Sequence, residues 1–193
     1  MHYNKMFKNF PKIEDDDILL KQVEKQDLND YAEINMNEVL YRYKPGEPRK
    51  TIAAVENIIG HHERDFYKKK IINLGIYLKK DNNKMVGVAE VFDFDNTVSV
   101  VTIGYTLNQN YWGQGIATKT TALLLKYLFN EIDVNRIQAF VMPQNEKSKM
   151  VLIRNKFMKE GTIRQGNYWR GRGVVDLEVY SILKSEYSYI EVN

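Results

Sequence analysis

The segment Ile103-Gly104-Tyr105-Thr106-Leu107-Asn108-Gln109-Asn110-Tyr111-Trp112-Gly113-Gln114-Gly115-Ile116-Ala117-Thr118 changes character twice. It opens as the end of a strand-like run from Val98 to Leu107 and passes through a polar loop holding two glycines. It continues as a helix to about Asn130 that carries Leu123, Leu124, Leu125, Leu128 and Phe129. Apolar residues nearly all round predict that this helix lies buried against a sheet. Glycines at a strand-to-helix turn let the main chain approach a bulky anion. The first amides of the helix, unpaired and at the positive end of its dipole, attract phosphate oxygens. A phosphorylated ligand is therefore inferred, although glycines that merely shape a turn explain an isolated Gly-x-Gly equally well.

Upstream, Ile71 to Leu78, Met85 to Phe94 and Val98 to Leu107 read as three strands joined by turns at Asp81-Asn82-Asn83 and Asp95-Asn96. Consecutive strands with tight turns make an antiparallel meander. Residues 1–17 show no sustained period and read as an arm, followed by a strand around Ile18 to Val23. Asp27 is placed to cap a helix bearing Leu28, Tyr31, Ile34 and Asn35. Lys44-Pro45-Gly46-Glu47-Pro48 is a loop, and Ile52, Val55, Ile58, Ile59, His62 and Phe66 recur at helical spacing beyond Thr51. Downstream, Arg136 to Met142 reads as a strand and Lys147 to Asn155 as a helix. Phe157 to Arg164 and Val174 to Leu183 read as two last strands around a hairpin loop containing Arg170-Gly171-Arg172-Gly173. The expectation is one α/β (α+β) domain over 1–193, with a mixed, largely antiparallel sheet.

Composition narrows the chemistry. The 193 residues contain no cysteine, which excludes disulfides, thiolate metal sites and a cysteine nucleophile. A formal charge of +3 from 28 basic and 25 acidic residues is too near balance for a dedicated nucleic-acid binder. The longest apolar stretch, Thr121 to Phe129, is interrupted by Lys126 and falls short of the roughly 18 residues a membrane span requires. No signal-peptide core precedes Asp15-Asp16-Asp17, so a cytoplasmic location is expected. His61-His62-Glu63 lacks a third ligand at suitable spacing, so no metal is expected.

Two familiar phosphate-binding patterns do not fit. A dinucleotide fingerprint needs Gly-x-Gly-x-x-Gly after a first parallel strand, yet the third position is Thr118 and the preceding strand belongs to a meander. A nucleoside-triphosphate loop needs Gly-Lys-Ser/Thr, and here Lys119-Thr120 follows Thr118. Trp112-Gly113-Gln114-Gly115-Ile116-Ala117 instead resembles the acyl-coenzyme-A motif of the GNAT superfamily of N-acetyltransferases, Arg/Gln-x-x-Gly-x-Gly/Ala, with Trp112 in the first position. The Tyr-Trp-Gly-Gln-Gly context looks like the branch containing ribosomal-protein N-terminal acetyltransferases. So do Ile103-Gly104-Tyr105, Asn145-x-x-Ser148, Phe157-Met158-Lys159-Glu160-Gly161, and Asp176 with Tyr180-Ser181-Ile182-Leu183. The resemblance covers most of residues 18–187 and is strongest from 98 to 183.

That resemblance implies splayed fourth and fifth strands, a cofactor-binding half at about 98–160, and acetyl-CoA as cosubstrate. It places Tyr105, Thr106 and Leu107 beside the pantetheine arm. The loop Trp112-Gly113-Gln114-Gly115 and the helix start Ile116-Ala117-Thr118 go on the diphosphate, and Asn145 on the arm. An ordinary helix cap explains Asn145 as well. The implied reaction is direct attack of an amine on the thioester, through a tetrahedral oxyanion to a thiolate leaving group. An α-amine, with a pKa of about 7.7–8.0, needs less general-base help than a lysine near 10.4, which favours a protein N-terminus. Many relatives carry a glutamate base just before Ile-Gly-Tyr, but Thr102 stands here. Ser148 is the first catalytic candidate, as proton donor to the departing sulfur, with Glu90 and Asp176 as replacement bases. Lys119, Arg154 and Lys156 are candidates for the 3′-phosphate. The favoured acceptor is a ribosomal-protein N-terminus. Polyamines, aminoglycosides, amino acids, a non-catalytic coenzyme-A-binding module and a homodimeric assembly are kept open.

Overall fold

A computed structural model describes residues 1–187; residues 188–193 of the expected unit lie outside it. Among the described residues, eight strands form one sheet in the order β1-β2-β3-β4-β5-β6-β8-β7. They are β1 (Ile13–Glu14), β2 (Ile18–Gln22), β3 (Ile71–Leu78), β4 (Lys84–Asp95), β5 (Val100–Leu107), β6 (Arg136–Val141), β7 (Met158–Trp169) and β8 (Gly173–Leu183). Every pairing is antiparallel except β5 with β6. The meander expected from turn chemistry is β3-β4-β5. Asn82 and Asn83 take the left-handed conformation at its first turn, which asparagine tolerates better than most residues.

Both faces of the central strands are covered, which explains why β3 is apolar almost without interruption. On one face α4 (Ile116–Lys126) presents Leu124, and the following π-helical turn presents Leu128 and Phe129, to Leu20, Leu74, Ile76 and Ile137. On the other face α2 (Leu28–Asn35) and α3 (Ile52–Tyr67) bury Tyr31, Ile34, Val55 and Ile59 against Leu19, Tyr77, Met85 and Val88. Successive strand residues thus alternate between the two cores. Asp27 precedes α2 but does not cap it with its side chain. Its carboxylate accepts from the Glu24 amide at 2.8 Å and the Tyr77 hydroxyl at 2.6 Å, fixing α2 to the sheet.

Two expectations need correction. Residues 1–17 are not a loose arm. They form α1 (Tyr3–Met6) and β1, Met6 is fully buried, and the Phe10 ring stacks on Phe66 at 3.9 Å. The aromatic partners, Phe66 and Phe94, lie far along the chain, so no local period reveals the packing. β7 runs on to Trp169 rather than stopping near Arg164. Its residues are mostly exposed and polar because it is an edge strand held by pairing with β8, and a register shift between Ile163 and Asn167 interrupts alternation.

Candidate active site

Between β5 and α4 the chain makes a short 3-10 turn, Gln109–Tyr111, and then the two glycines. Buried Asn108 accepts from the Asn110 amide at 3.1 Å and donates to Glu33 at 2.9 Å, anchoring the turn to α2. The Trp112 indole N–H donates to the Leu107 carbonyl at 3.0 Å, and the Lys147 ammonium sits 4.9 Å from its ring centroid. Trp112 thus closes the loop onto the end of β5. Gly113 and Gly115 have φ of 75° and 77°, and a Cβ on either would meet no atom within 4 Å. Backbone conformation, not crowding, requires glycine here, and the main chain borders open space. No side chain caps α4, and its first helical bond runs from the Lys119 amide to the Gly115 carbonyl, at 3.0 Å. The amides of Ile116, Ala117 and Thr118 therefore lack intrahelical acceptors, a donor set that fits a diphosphate.

β5 and β6 pair only at Val100, Val101 and Thr102, then diverge. Thr102 is buried, and its hydroxyl accepts from Gln138 Nε2 at 3.2 Å, so it pins the last shared rung. Beyond that rung opens a cleft of about 440 Å³. Tyr105 and Thr106 line it from β5, Glu90 from β4, Thr121 from α4, and Asn145 and Ser148 from the start of α5 (Glu146–Arg154).

Five of the expected site residues therefore meet in one place. Glu90 reaches the cleft because it pairs with Gly104, where even a Cβ would lie 3.3 Å from its Oε2. Burial pushes the Glu90 carboxyl up, with Lys44 partly opposing, and no hydrogen bond from a described residue reaches it. Burial also pushes the Tyr105 phenol up, with the nearby Ser148 hydroxyl partly opposing. Asn145 accepts from the Ser148 amide at 3.3 Å, so its capping role is realised while its NH₂ is left over beside the cleft.

Other candidates fall elsewhere. The Leu107 side chain is in the core and its carbonyl is taken by Trp112, so it does not line the cleft. Asp176 is exposed on the outer side of the β7–β8 hairpin, where it accepts from the Gln165 amide at 2.7 Å. Val175 and Leu177 on either side are buried, and strand alternation turns Asp176 outward. Lys119 is ion-paired with Asp17, while Arg154 and Lys156 are exposed. Arg170 pairs with Glu47 at 3.0 Å. His62 is buried with Nε2 3.0 Å from the Tyr31 hydroxyl, and burial pushes its pKa down to about 4. Among the described residues no group of three or more His, Asp or Glu could hold a metal ion, and no helix is long and apolar enough to cross a membrane.

The sequence reading missed the far wall of the cleft: Tyr43, Lys44 and Pro45 from the loop before α3, and Ile163, Asn167 and Trp169 from β7. The usable signals were faint. They were a proline-stiffened loop carrying a lysine and a tryptophan inside an otherwise polar stretch.

A family model described as "Acetyltransferase (GNAT) domain" matches residues 17–158. The uncharacterized N-acetyltransferase YoaA of Bacillus subtilis is 29% identical over 175 residues, covering 91% of this chain and 98% of that protein. The putative ribosomal N-acetyltransferase YdaF of the same organism is 31% identical over 132 residues, covering 68% of this chain and 70% of that one. The fold is shared with the Microcin C7 self immunity acetyltransferase MccE, solved in complex with acetyl-CoA and AMP. Its TM-score is 0.78 at 23% identity, over 88% of this chain and 93% of that one. With the splayed strands and the open glycine turn, the match over residues 17–158 means that the chain belongs to the GNAT family of acetyl-CoA-dependent N-acetyltransferases.

Proposed function

We propose that the chain acts as a single acyltransferase unit that acetylates the N-terminal α-amino group of a protein, with ribosomal proteins as the favoured targets. The observation that carries this reading is the Glu90 carboxylate, held in the cleft without a hydrogen bond from a described residue and made more basic by burial. An α-amine is a minority free base near neutrality, so one carboxylate able to accept its proton, directly or through water, is sufficient help. Similarity to YdaF, named a putative ribosomal N-acetyltransferase, supports the acceptor class.

Acetyl-CoA supplies the activated acetyl group. The chain's own residues do the rest. The amides from Gln114 to Thr118 hold the diphosphate, with Gly113 and Gly115 setting the turn and Trp112 fixing it to β5. The Asn145 amide and the unpaired edge of β5 at Tyr105 and Thr106 align the pantetheine arm. Ser148, which lines the cleft with Tyr105, delivers a proton to the departing sulfur. Leu107 supports the loop through its carbonyl, and Asp176 takes no part. The arrangement also fits a cytoplasmic location, where acetyl-CoA and nascent ribosomal proteins occur together.

Thiol release should be measured with a panel of N-terminal peptides, polyamines, aminoglycosides and free amino acids, alongside mass spectrometry of cellular amino termini with the protein present and absent. Turnover on peptides and one or a few shifted acetylation sites are expected. Cofactor binding without turnover on any amine would instead favour a non-catalytic coenzyme-A-binding module.

A further inference from the structure

The acceptor wall of the cleft carries a cation that the proposed chemistry does not use. Lys44 lines the same cavity as Glu90 and feels its charge, yet it makes no hydrogen bond and no ion pair within 4 Å with a described residue; its Nζ lies 5.1 Å from the Tyr41 ring centroid. Its position is held from several sides. The Tyr43 hydroxyl donates to the Gln144 carbonyl at 3.2 Å, Glu47 pairs with Arg170 at the tip of the β7–β8 hairpin, and the Arg49 amide donates to the Asn35 carbonyl at 2.8 Å. Pro45 and Pro48 stiffen the span between these anchors. A half-buried ammonium without an acceptor among the described residues carries a desolvation cost that an oxygen ligand would offset.

Resting on the reading that an amine is acetylated beside Glu90, we propose that Lys44 forms the second anchor of the acceptor. Its ammonium takes a carbonyl or carboxylate oxygen on the carbon next to the reacting amine. The cleft then selects α-aminoacyl groups and disfavours polyamines, whose second ammonium would face a like charge. Burial lowers the Lys44 pKa while Glu90 raises it, as expected for two opposite charges sharing one partly dry cleft. Asp93 also lines the cavity, but at its exposed rim, where water screens it. The oxygen has two sources, the first peptide carbonyl of a protein N-terminus and the carboxylate of a free amino acid.

The test measures both calorimetric binding to the CoA-loaded protein and turnover with acetyl-CoA. The acceptors are trialanine amide, free alanine, isopropylamine and spermidine, with wild type, Lys44→Met and Lys44→Glu. Lys44 sits on a surface loop, and thermal unfolding verifies that each variant folds. Wild type is expected to bind trialanine amide or alanine at least tenfold more tightly than isopropylamine or spermidine. Lys44→Met should erase that preference and Lys44→Glu should turn it toward spermidine. The tighter of the two alanine ligands identifies the source of the oxygen. A preference that survives Lys44→Met, or wild-type binding of spermidine as tight as of trialanine amide, overturns the anchor. Lys44-dependent selective binding without any turnover keeps the anchor and defeats the acetylation reading instead.

Discussion

The glycine turn and the cleft are built on different principles. The turn, from Trp112 to Thr118, which we propose takes the donor, presents main-chain amides at left-handed glycines and an uncapped helix start. The wall we propose for the acceptor is made of side chains: Lys44 from a loop, Glu90 from β4, and Trp169 from a distant hairpin. A backbone site recognises the invariant part of the cosubstrate and depends on a few conformations. A side-chain site recognises the variable partner and can change residue by residue without disturbing the fold. Substitutions on the two sides should therefore separate turnover from cofactor affinity.

The largest separation is expected from Glu90→Gln. It should lower kcat/KM by about 10² to 10⁴ while leaving acetyl-CoA affinity within a factor of two, by stopped-flow turnover and calorimetry. Because burial raises the Glu90 carboxyl, wild-type activity should rise with pH along a limb lying above the ordinary carboxylate range, and this limb should vanish in the variant. An unchanged profile would remove Glu90 from the chemistry. Gly115→Val should act in the opposite sense, weakening acetyl-CoA binding by about a hundredfold. A β-branched residue at φ 77° is strained and drags the turn out of place. Wild-type affinity in that variant would show that the amides do not hold the diphosphate.

His62 probes the scaffold behind the acceptor wall. Its folded pKa of about 4 lies below the ordinary histidine value of 6.5, so between those values the unfolded chain binds a proton that the folded chain refuses. The stability is fully present above 6.5 and is lost as pH falls toward 4, by about 3 kcal/mol at about 1.4 kcal/mol per unit. Urea unfolding at pH 7 and pH 4.5 should show most of that loss, and His62→Phe should flatten the difference. An equal loss in the variant would assign it to other groups. The smallest effect is expected from Ser148→Ala, about tenfold in kcat with acetyl-CoA binding retained. Tyr105 lines the same cleft and can supply the proton in its place.

The same contrast explains what could be read from the chain. The donor side lies within one short stretch, where the strand, the two glycines and the apolar helix start follow one another, and its geometry is local. Strands β2 to β6 and helices α2 to α5 were legible for the same reason: alternation, helical spacing and turn residues all act over a few positions. The packing of residues 1–17 was not, because Phe7 and Phe10 meet Phe66 only after folding. Asp176 looked like Glu90 in the sequence, an acid on a strand. Only the phase of alternation in β8 and the room left by Gly104 decide that one faces solvent and the other the cleft. Lys44 and Trp169 come together where Glu47 pairs with Arg170 and Tyr43 packs on the Trp169 cluster, contacts that leave no trace in spacing.

The most direct test is a titration of ¹⁵N-labelled protein with acetyl-CoA, followed by amide shifts. The account predicts the largest changes at the amides of Gly115, Ile116, Ala117 and Thr118, with Tyr105 and Thr106 next and the Lys44 loop little affected until an acceptor is added. Saturable binding that leaves the Gly115 to Thr118 amides unmoved would contradict it.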